Sequence, residues 1–267
     1  MTDINPMDSV HDFYVFHMRR LRNTAGLSQE ALGPKVGYSG KFIGLVETKK
    51  RRPNKILSTG LDTYFELPQF FEALLPRIAE EAGLPPGFLE YIDEEALASQ
   101  IKMYYHYLIP GLFQTEPYAR EVLKAGKRAD KIEELVTTRL GRQELLHKEN
   151  PPNIVVLLDE SVLRKIVGDR EITRHQLKHL LSLIKEPHIT IQVVPNGAQI
   201  YPEGSFALLS FDNEPDMGYE ESFGGHGRLI EAGPHVTELA VGFDLIRSMA
   251  LPAAESEALI RGISEAT

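Results

Sequence analysis

Apolar positions near the start of the chain recur every three or four residues. Tyr14, Met18, Leu21 and Ala25 share one helical face, Arg19, Arg20 and Arg22 occupy others, and Gly26 follows. This spacing predicts a first helix with a glycine stop. Ser28 then stands as an N-cap, its hydroxyl able to accept from backbone N–H groups two or three residues on, and a second helix is expected to Val36. Pro34 lies inside that segment, where its missing N–H and ring clash predict a kinked or shortened helix. Gly37 ends it, Ser39 caps again, and Ile43 with Val46 give the inward ridge of a third helix closing near Thr48.

The pattern stays helical from Ile56 to about Glu95, punctuated by Pro68, Pro76 and Pro85-Pro86. Beyond it, Thr115 with Pro117 marks another helix start, and TTRLGRQELLHKEN closes a helix before Pro151-Pro152. IVVLLDE and ITIQVVP have the continuous β-branched character of buried strands, while FALLSF and MGYEES read as two more. ESVLRKIVG and ITRHQLKHLLSLIK between them read as helices. Two C-terminal helices split at Pro252; in the first, Leu239, Phe243, Ile246, Met249 and Ala250 form an apolar face, with Asp244 and Arg247 outward. Helices and strands alternate and strands then cluster, which predicts an α/β region with a mixed sheet after the all-α N-terminal region. The boundary is placed at 80/81, giving expected domains of 1–80 and 81–267.

Composition changes this picture in one respect. The 267 residues carry a net charge of -9, yet residues 1–55 hold ten Lys or Arg against five Asp or Glu. That segment is +5 and the remainder -14. A basic segment on an acidic body can approach a polyanion with one face while the rest repels it. There is no cysteine, which excludes disulfides and thiolate chemistry. The acidic N-terminus lacks the positive charge and apolar run of a signal peptide, and no apolar run approaches the ~20 residues of a membrane span. A cytoplasmic protein without membrane contact is expected.

Two short helices meeting across Gly37-Tyr38 make a helix-turn-helix arrangement, whose second member can lie in the major groove of double-stranded DNA. Its outward side would carry Gly40, Lys41 and Leu45. Leu27-Ser28-Gln29-Glu30-Ala31-Leu32, Gly37-Tyr38-Ser39, Ile43, Val46-Glu47 and the basic stretch to Pro53 agree in register, and residues 13 to about 66 resemble the helix-turn-helix of lambda-repressor-type regulators. The resemblance implies DNA contact by Gln29, Ser39, Gly40, Lys41 and Leu45. Lys49, Lys50, Arg51 and Arg52 follow the third helix, where the family's loop runs beside phosphate, and phosphate contact needs charge more than shape. Amide-bearing readers are missing at the start of that helix, so sequence specificity is expected to be modest.

IPGLFQTEPYAREVL, the spaced arginines of TTRLGRQELL, LDESVLRKIVG, HQLKHLL, ITIQVVP, GSFALLSF, YEES and MALPAAES are similar to the C-terminal domain of Scr-type antitoxin-like bacterial regulators. That likeness implies a transcriptional regulator whose larger domain binds a small protein, often encoded by a neighbouring gene, or an effector. A homodimer is expected because one short recognition helix reads too few base pairs alone.

Other chemistry is weaker. The tyrosines at 104, 105 and 107 can stack nucleic-acid bases, but an amphipathic strand or helix packed on a core is the favoured reading. Asp159-Glu160 and Glu220-Glu221 invite acid/base catalysis, yet charged residues at strand ends normally meet solvent. His175 and His179 stand four apart on a helix, without the glutamate of a zinc-protease motif. GGHG at 224–227 reads as a turn or mobile loop. No catalytic residue, metal site or cofactor is expected. A ligand- or protein-binding module with weak DNA contact remains the alternative, followed by a carboxylate enzyme.

Overall fold

A computed structural model of the chain describes residues 4–49, 51–81, 88–125, 131–199, 204–222 and 226–267. They form two compact units, Met1–Asp93 and Glu94–Thr267. The first is helical and the second contains a six-stranded mixed sheet. No helix among the described residues is long and apolar enough to cross a membrane.

In the first unit α1 spans Val10–Thr24, α2 Gln29–Leu32, α3 Gly40–Glu47, α4 Lys55–Tyr64 and α5 Leu75–Glu81. Their ends are set locally. Ser28 Oγ accepts from the Ala31 amide at 3.1 Å, Ser39 Oγ from Phe42 at 3.3 Å and Asn54 Oδ1 from Leu57 at 2.9 Å, each satisfying an orphan donor of a first turn. The second helix stops short of Val36: after Leu32 the backbone tightens into a 3₁₀ turn over Gly33–Val36, with Pro34 at its start. Gly37 then takes φ 80°, a left-handed conformation that side chains resist. Tyr14, Met18, Leu32, Val36, Ile43, Val46, Leu57, Leu61 and Phe71 close one core behind these helices. Full burial of each such side chain contributes ~1.5–3 kcal/mol.

Helix α6, Phe88–Glu95, precedes the sheet. The strands are β1 Gln100–Tyr105, β2 Asn153–Asp159, β3 Ile189–Val194, β4 Phe206–Ser210, β5 Met217–Ser222 and β6 His226–Ile230, in the order β3-β2-β1-β4-β5-β6. β1, β2 and β3 are mutually parallel, and β4, β5 and β6 add in antiparallel fashion. β2 lies between two parallel neighbours, which is why its sequence is an unbroken apolar run. The tyrosine segment resolves as β1, with Tyr104 buried and Tyr107 exposed beyond the strand end.

The crossovers supply α7 Glu116–Lys124, α8 Ile132–Gly141, α9 Glu160–Arg164 and α10 Arg170–Leu183; α11 Pro234–Ser248 and α12 Ala253–Ala266 complete the unit. The helix expected over ESVLRKIVG stops at Arg164, because Lys165 turns extended. The GGHG segment is not wholly a turn: His226 and Gly227 open β6, and 223–225 lie outside the described residues.

Alternation along the strands sorts the two faces. Tyr104, Leu157, Val194, Phe206 and Leu208 pack with Val236, Phe243 and Ile246 of α11. Met249, expected on that inward face, is 45% exposed instead, since it already lies past the end of α11. Ile101, Met103 and Tyr105 occupy the opposite face. Gln176 of α10, fully buried, ties that side together: its Oε1 accepts from the Thr115 amide and its Nε2 donates to the Phe113 carbonyl, both at 2.7 Å.

Candidate functional site

The surface that carries the basic charge is built on the α2–α3 corner. Two glycines bring these helices close. A Cβ on Gly33 would lie 2.6 Å from the Tyr38 carbonyl oxygen, and one on Gly40 2.5 Å from Glu30 Cα. Gly40, expected to face outward, is therefore buried against Glu30 and is a packing residue. Lys41 beside it is exposed, Leu45 is half-buried, and Ser39 is exposed with its hydroxyl held as the α3 cap.

Gln29 also has an internal role that sequence did not reveal. Its Nε2 donates to Glu47 Oε2 at 2.7 Å, and its Oε1 lies 2.9 Å from where a Gly44 Cβ would stand, so the amide crosses α3 at a residue without a side chain. Glu47, 2% exposed, collects Arg22 as well, through Nε at 2.6 Å and Nη2 at 2.9 Å. Arg19 donates to the Glu47 backbone carbonyl. Three side chains from α1 and α2 thus clamp the C-terminal end of α3.

The basic run divides. Lys49, expected to meet phosphate, turns back with φ 58° and pairs with Asp12 at 2.8 and 2.9 Å, and this pairing holds the Asp12 carboxyl below its ordinary range against the opposing cost of burial. Arg51 is exposed and lies 5.6 Å over the Phe42 ring, which itself stacks on Tyr38 at 4.0 Å. Arg52 is half-buried, and Lys50 lies outside the described residues. His11, beneath this run, is pushed down to about 4 by burial and then by the charges of Arg52 and Lys49. Of the nine positions picked from sequence, Lys41 and Arg51 are exposed and Leu45 is half-buried at the surface of the corner.

In the second unit the two carboxylate pairs do reach one end of the sheet, because β5 runs in the same direction as β1 and β2. Glu160 does not meet solvent as strand-end charges normally do. It is buried, accepting from the Asn196 amide at 2.9 Å and from Arg164 at 2.8 Å, and these bonds hold its carboxyl low. Glu220 is occupied by Arg228 and His235 on the α11 side. Glu221 points to the other face and accepts from the Tyr105 hydroxyl at 3.1 Å. The pairs therefore do not converge on one reacting point. Among the described residues no group of three or more His, Asp or Glu has the geometry to hold a metal ion.

A family described as a domain of unknown function (DUF5753) matches residues 88–262. The chain belongs to this family. No curated protein matches the chain. The DUF5753 match covers the sheet with its crossover helices and stops before the end of α12, so it concerns the second unit and not the α2–α3 corner. Within the DUF5753 region the structure joins residues that sequence reading had noted only as spaced motifs. Arg139 Nη1 donates to Gln114 Oε1 at 2.7 Å, and Arg142 grips Glu95 through Nε at 3.0 Å and Nη2 at 2.8 Å. The signal available beforehand was the Arg-x-x-Arg spacing on a helix beside a proline-glycine loop, which marks a shared face but not its partners.

Proposed function

We propose that the protein is a DNA-binding transcriptional regulator of the cytoplasm, in which α2, the turn at Gly37 and α3 act as a helix-turn-helix. The observation that carries this reading is the α2–α3 corner: two serine-capped helices joined through a left-handed glycine, clamped from behind by Glu47, with Lys41 exposed in the first turn of α3. Lys41 and Leu45 would face base edges, and Ser39, Arg51, Arg52 and Lys50 the phosphates. Gln29, Gly40 and Lys49 would serve by holding the corner in shape. A homodimer follows from the short recognition helix, with half-sites about 34–36 Å apart. The DUF5753 unit would carry regulation by binding a small protein or effector, and no catalysis is assigned to it.

Selecting bound duplexes from random sequence, then titrating the selected duplex against a scrambled one at fixed salt, tests the reading. Specific sites ordinarily win by roughly 10³ or more. A preference below about tenfold would favour the second reading, a binding module with weak DNA contact. The burial of Gly40 and the engagement of Gln29, which leave few base readers, favour that alternative. A monomeric mass on DNA together with a footprint lacking twofold symmetry would remove the homodimer.

A further inference from the structure

The second unit departs from its own charge in one place. Residues 94–267 hold 18 Lys or Arg against 26 Asp or Glu, yet residues 164–185 hold six against two. The excess sits on α10. Thr173, Gln176, Leu177, Leu180 and Leu183 are its buried side, and Arg170, Arg174 and Lys178 recur every four residues on its solvent side, all exposed. Four residues advance a helix by about 6 Å and bring it little past one full turn, so the three cations form a single row about 12 Å long. Lys185, exposed just beyond the end of α10, continues the basic surface.

Elsewhere in the unit the cations are engaged. Arg120 pairs with Glu116, Arg142 with Glu95, Arg164 with Glu160, Arg228 with Glu220 and Arg261 with Glu257. Arg139 and Arg247 donate to the Gln114 and Gln192 amides, and Lys102 and Lys165 lie over the Phe243 and Tyr107 rings. Among the described residues Arg170, Arg174, Lys178 and Lys185 make no ion pair within 4.0 Å and no side-chain hydrogen bond. Two carboxylates stand nearby without neutralising the row: Asp169 caps α10, accepting from the Ile172 amide at 2.8 Å, and Glu171 is exposed and pairs with none of the four. Like charges at four-residue spacing destabilise a helix, a cost that a bound anion removes. The partner's chemistry follows from what else the surface holds. A protein interface is centred on buried apolar or aromatic side chains, whereas the exposed residues of α10 are Arg170, Glu171, Arg174, His175, Lys178 and Ser182. Such a row suits an anion of regularly repeated charge. Each strand of duplex DNA carries one phosphate per ~3.4 Å of axis, so a row of about 12 Å faces about three, and a guanidinium fork pairs with phosphate through two N–H groups.

We propose that α10 is a second, sequence-independent contact for double-stranded DNA, with Arg170, Arg174 and Lys178 on phosphates. The proposal rests on the DNA reading of the first unit for its polyanion, and it gives the DUF5753 unit a share of the affinity without a share of the base preference, since phosphate contacts carry no sequence information.

Binding of the full chain to its selected duplex and to a random-sequence duplex is measured by fluorescence anisotropy from about 50 to 200 mM salt. Arg170→Gln, Arg174→Gln and Lys178→Gln combined should flatten the log-affinity against log-salt slope by about 2.7 units on both duplexes, a roughly fortyfold smaller loss of affinity across that range, and leave the ratio between the duplexes unchanged. Arg170→Lys with Arg174→Lys keeps the charge and should keep the slope. Lys41→Ala with Arg51→Ala should lower the preference for the selected duplex while the contribution of α10 to the slope persists. A change of less than about one unit in the triple variant overturns the proposal, as does equal flattening by the lysine variant. Unchanged duplex binding by the triple variant together with lost binding of poly-L-glutamate also overturns it, and makes the row a protein-docking face. A parent chain that binds neither duplex overturns it as well. The two DNA readings fail separately: a parent without preference whose slope still falls on loss of the row sinks the α2–α3 reading alone, and a parent with preference whose slope does not fall sinks this proposal alone.

Discussion

Removing the Glu47 carboxylate is the most direct perturbation of the α2–α3 corner. In Glu47→Ala the Arg22 guanidinium, only 12% exposed, loses both of its carboxylate contacts, and the Gln29 amide loses its acceptor. Breaking one side of a buried pair costs about 3–5 kcal/mol, because the remaining charge stays desolvated without compensation. Glu47→Gln keeps an acceptor of the same shape and should cost less, about 1–3 kcal/mol. Replacing both members, Arg22→Met with Glu47→Leu, removes the stranded charge and should recover most of the loss. Native-state hydrogen exchange at the Ile43 and Val46 amides reads the opening of this unit by itself, without requiring the whole chain to unfold in one step. A fall of less than about 1 kcal/mol in their opening free energy for Glu47→Ala would show that apolar packing, not this ion pair, holds α3. A double variant as unstable as Glu47→Ala would refute the stranded-charge argument itself.

Gly40→Ala should destabilise the same unit by about 1–3 kcal/mol, since the added methyl meets Glu30 Cα at 2.5 Å and α2 must shift; a thermal midpoint unchanged from the parent would contradict this. His11 supplies a pH dependence of definite sign. Its folded pKa of about 4 lies below the ordinary histidine value of 6.5, so the unfolded state binds the extra proton first, and stability present above pH ~6.5 is lost as pH falls toward ~4. The full loss is about 3 kcal/mol, and His11→Gln should flatten the stability–pH curve in that window. On DNA, Lys41→Ala should cost about 1–3 kcal/mol on the selected site and relax preference at one base pair per half-site. Arg51→Ala should weaken selected and random duplexes alike and flatten the log-affinity against log-salt slope by roughly one unit. A Lys41→Ala variant that changed only the slope would make Lys41 another phosphate ligand.

Much of the local architecture was legible because its causes are local. Ser28, Ser39 and Gly37 act on backbone groups within three residues, so their caps and turn follow from spacing alone. Pro34 shortened the second helix for the same reason, and the unbroken run of Ile154 to Leu158 announced a strand covered on both faces. β6 escaped notice because HGRLI is short, lies at the sheet edge and has no two-residue alternation.

The sequence by itself determined the serine caps and the glycine turn of the first unit, the apolar run that forms β2, the concentration of positive charge in residues 1–55, and the exclusion of cysteine chemistry. These are properties of neighbours along the chain. Tertiary structure alone decided what each charged or amide side chain does. It turned Gln29 and Lys49 inward to Glu47 and Asp12, 18 and 37 residues away, and it set Glu221 beside Tyr105 across 116 residues. It also separated Glu220 from Glu221, adjacent in sequence but on opposite faces of β5, because successive strand residues point to opposite sides. Residue type fixes which bonds a side chain is able to make; only the strand order and the helix crossings fix which partner arrives.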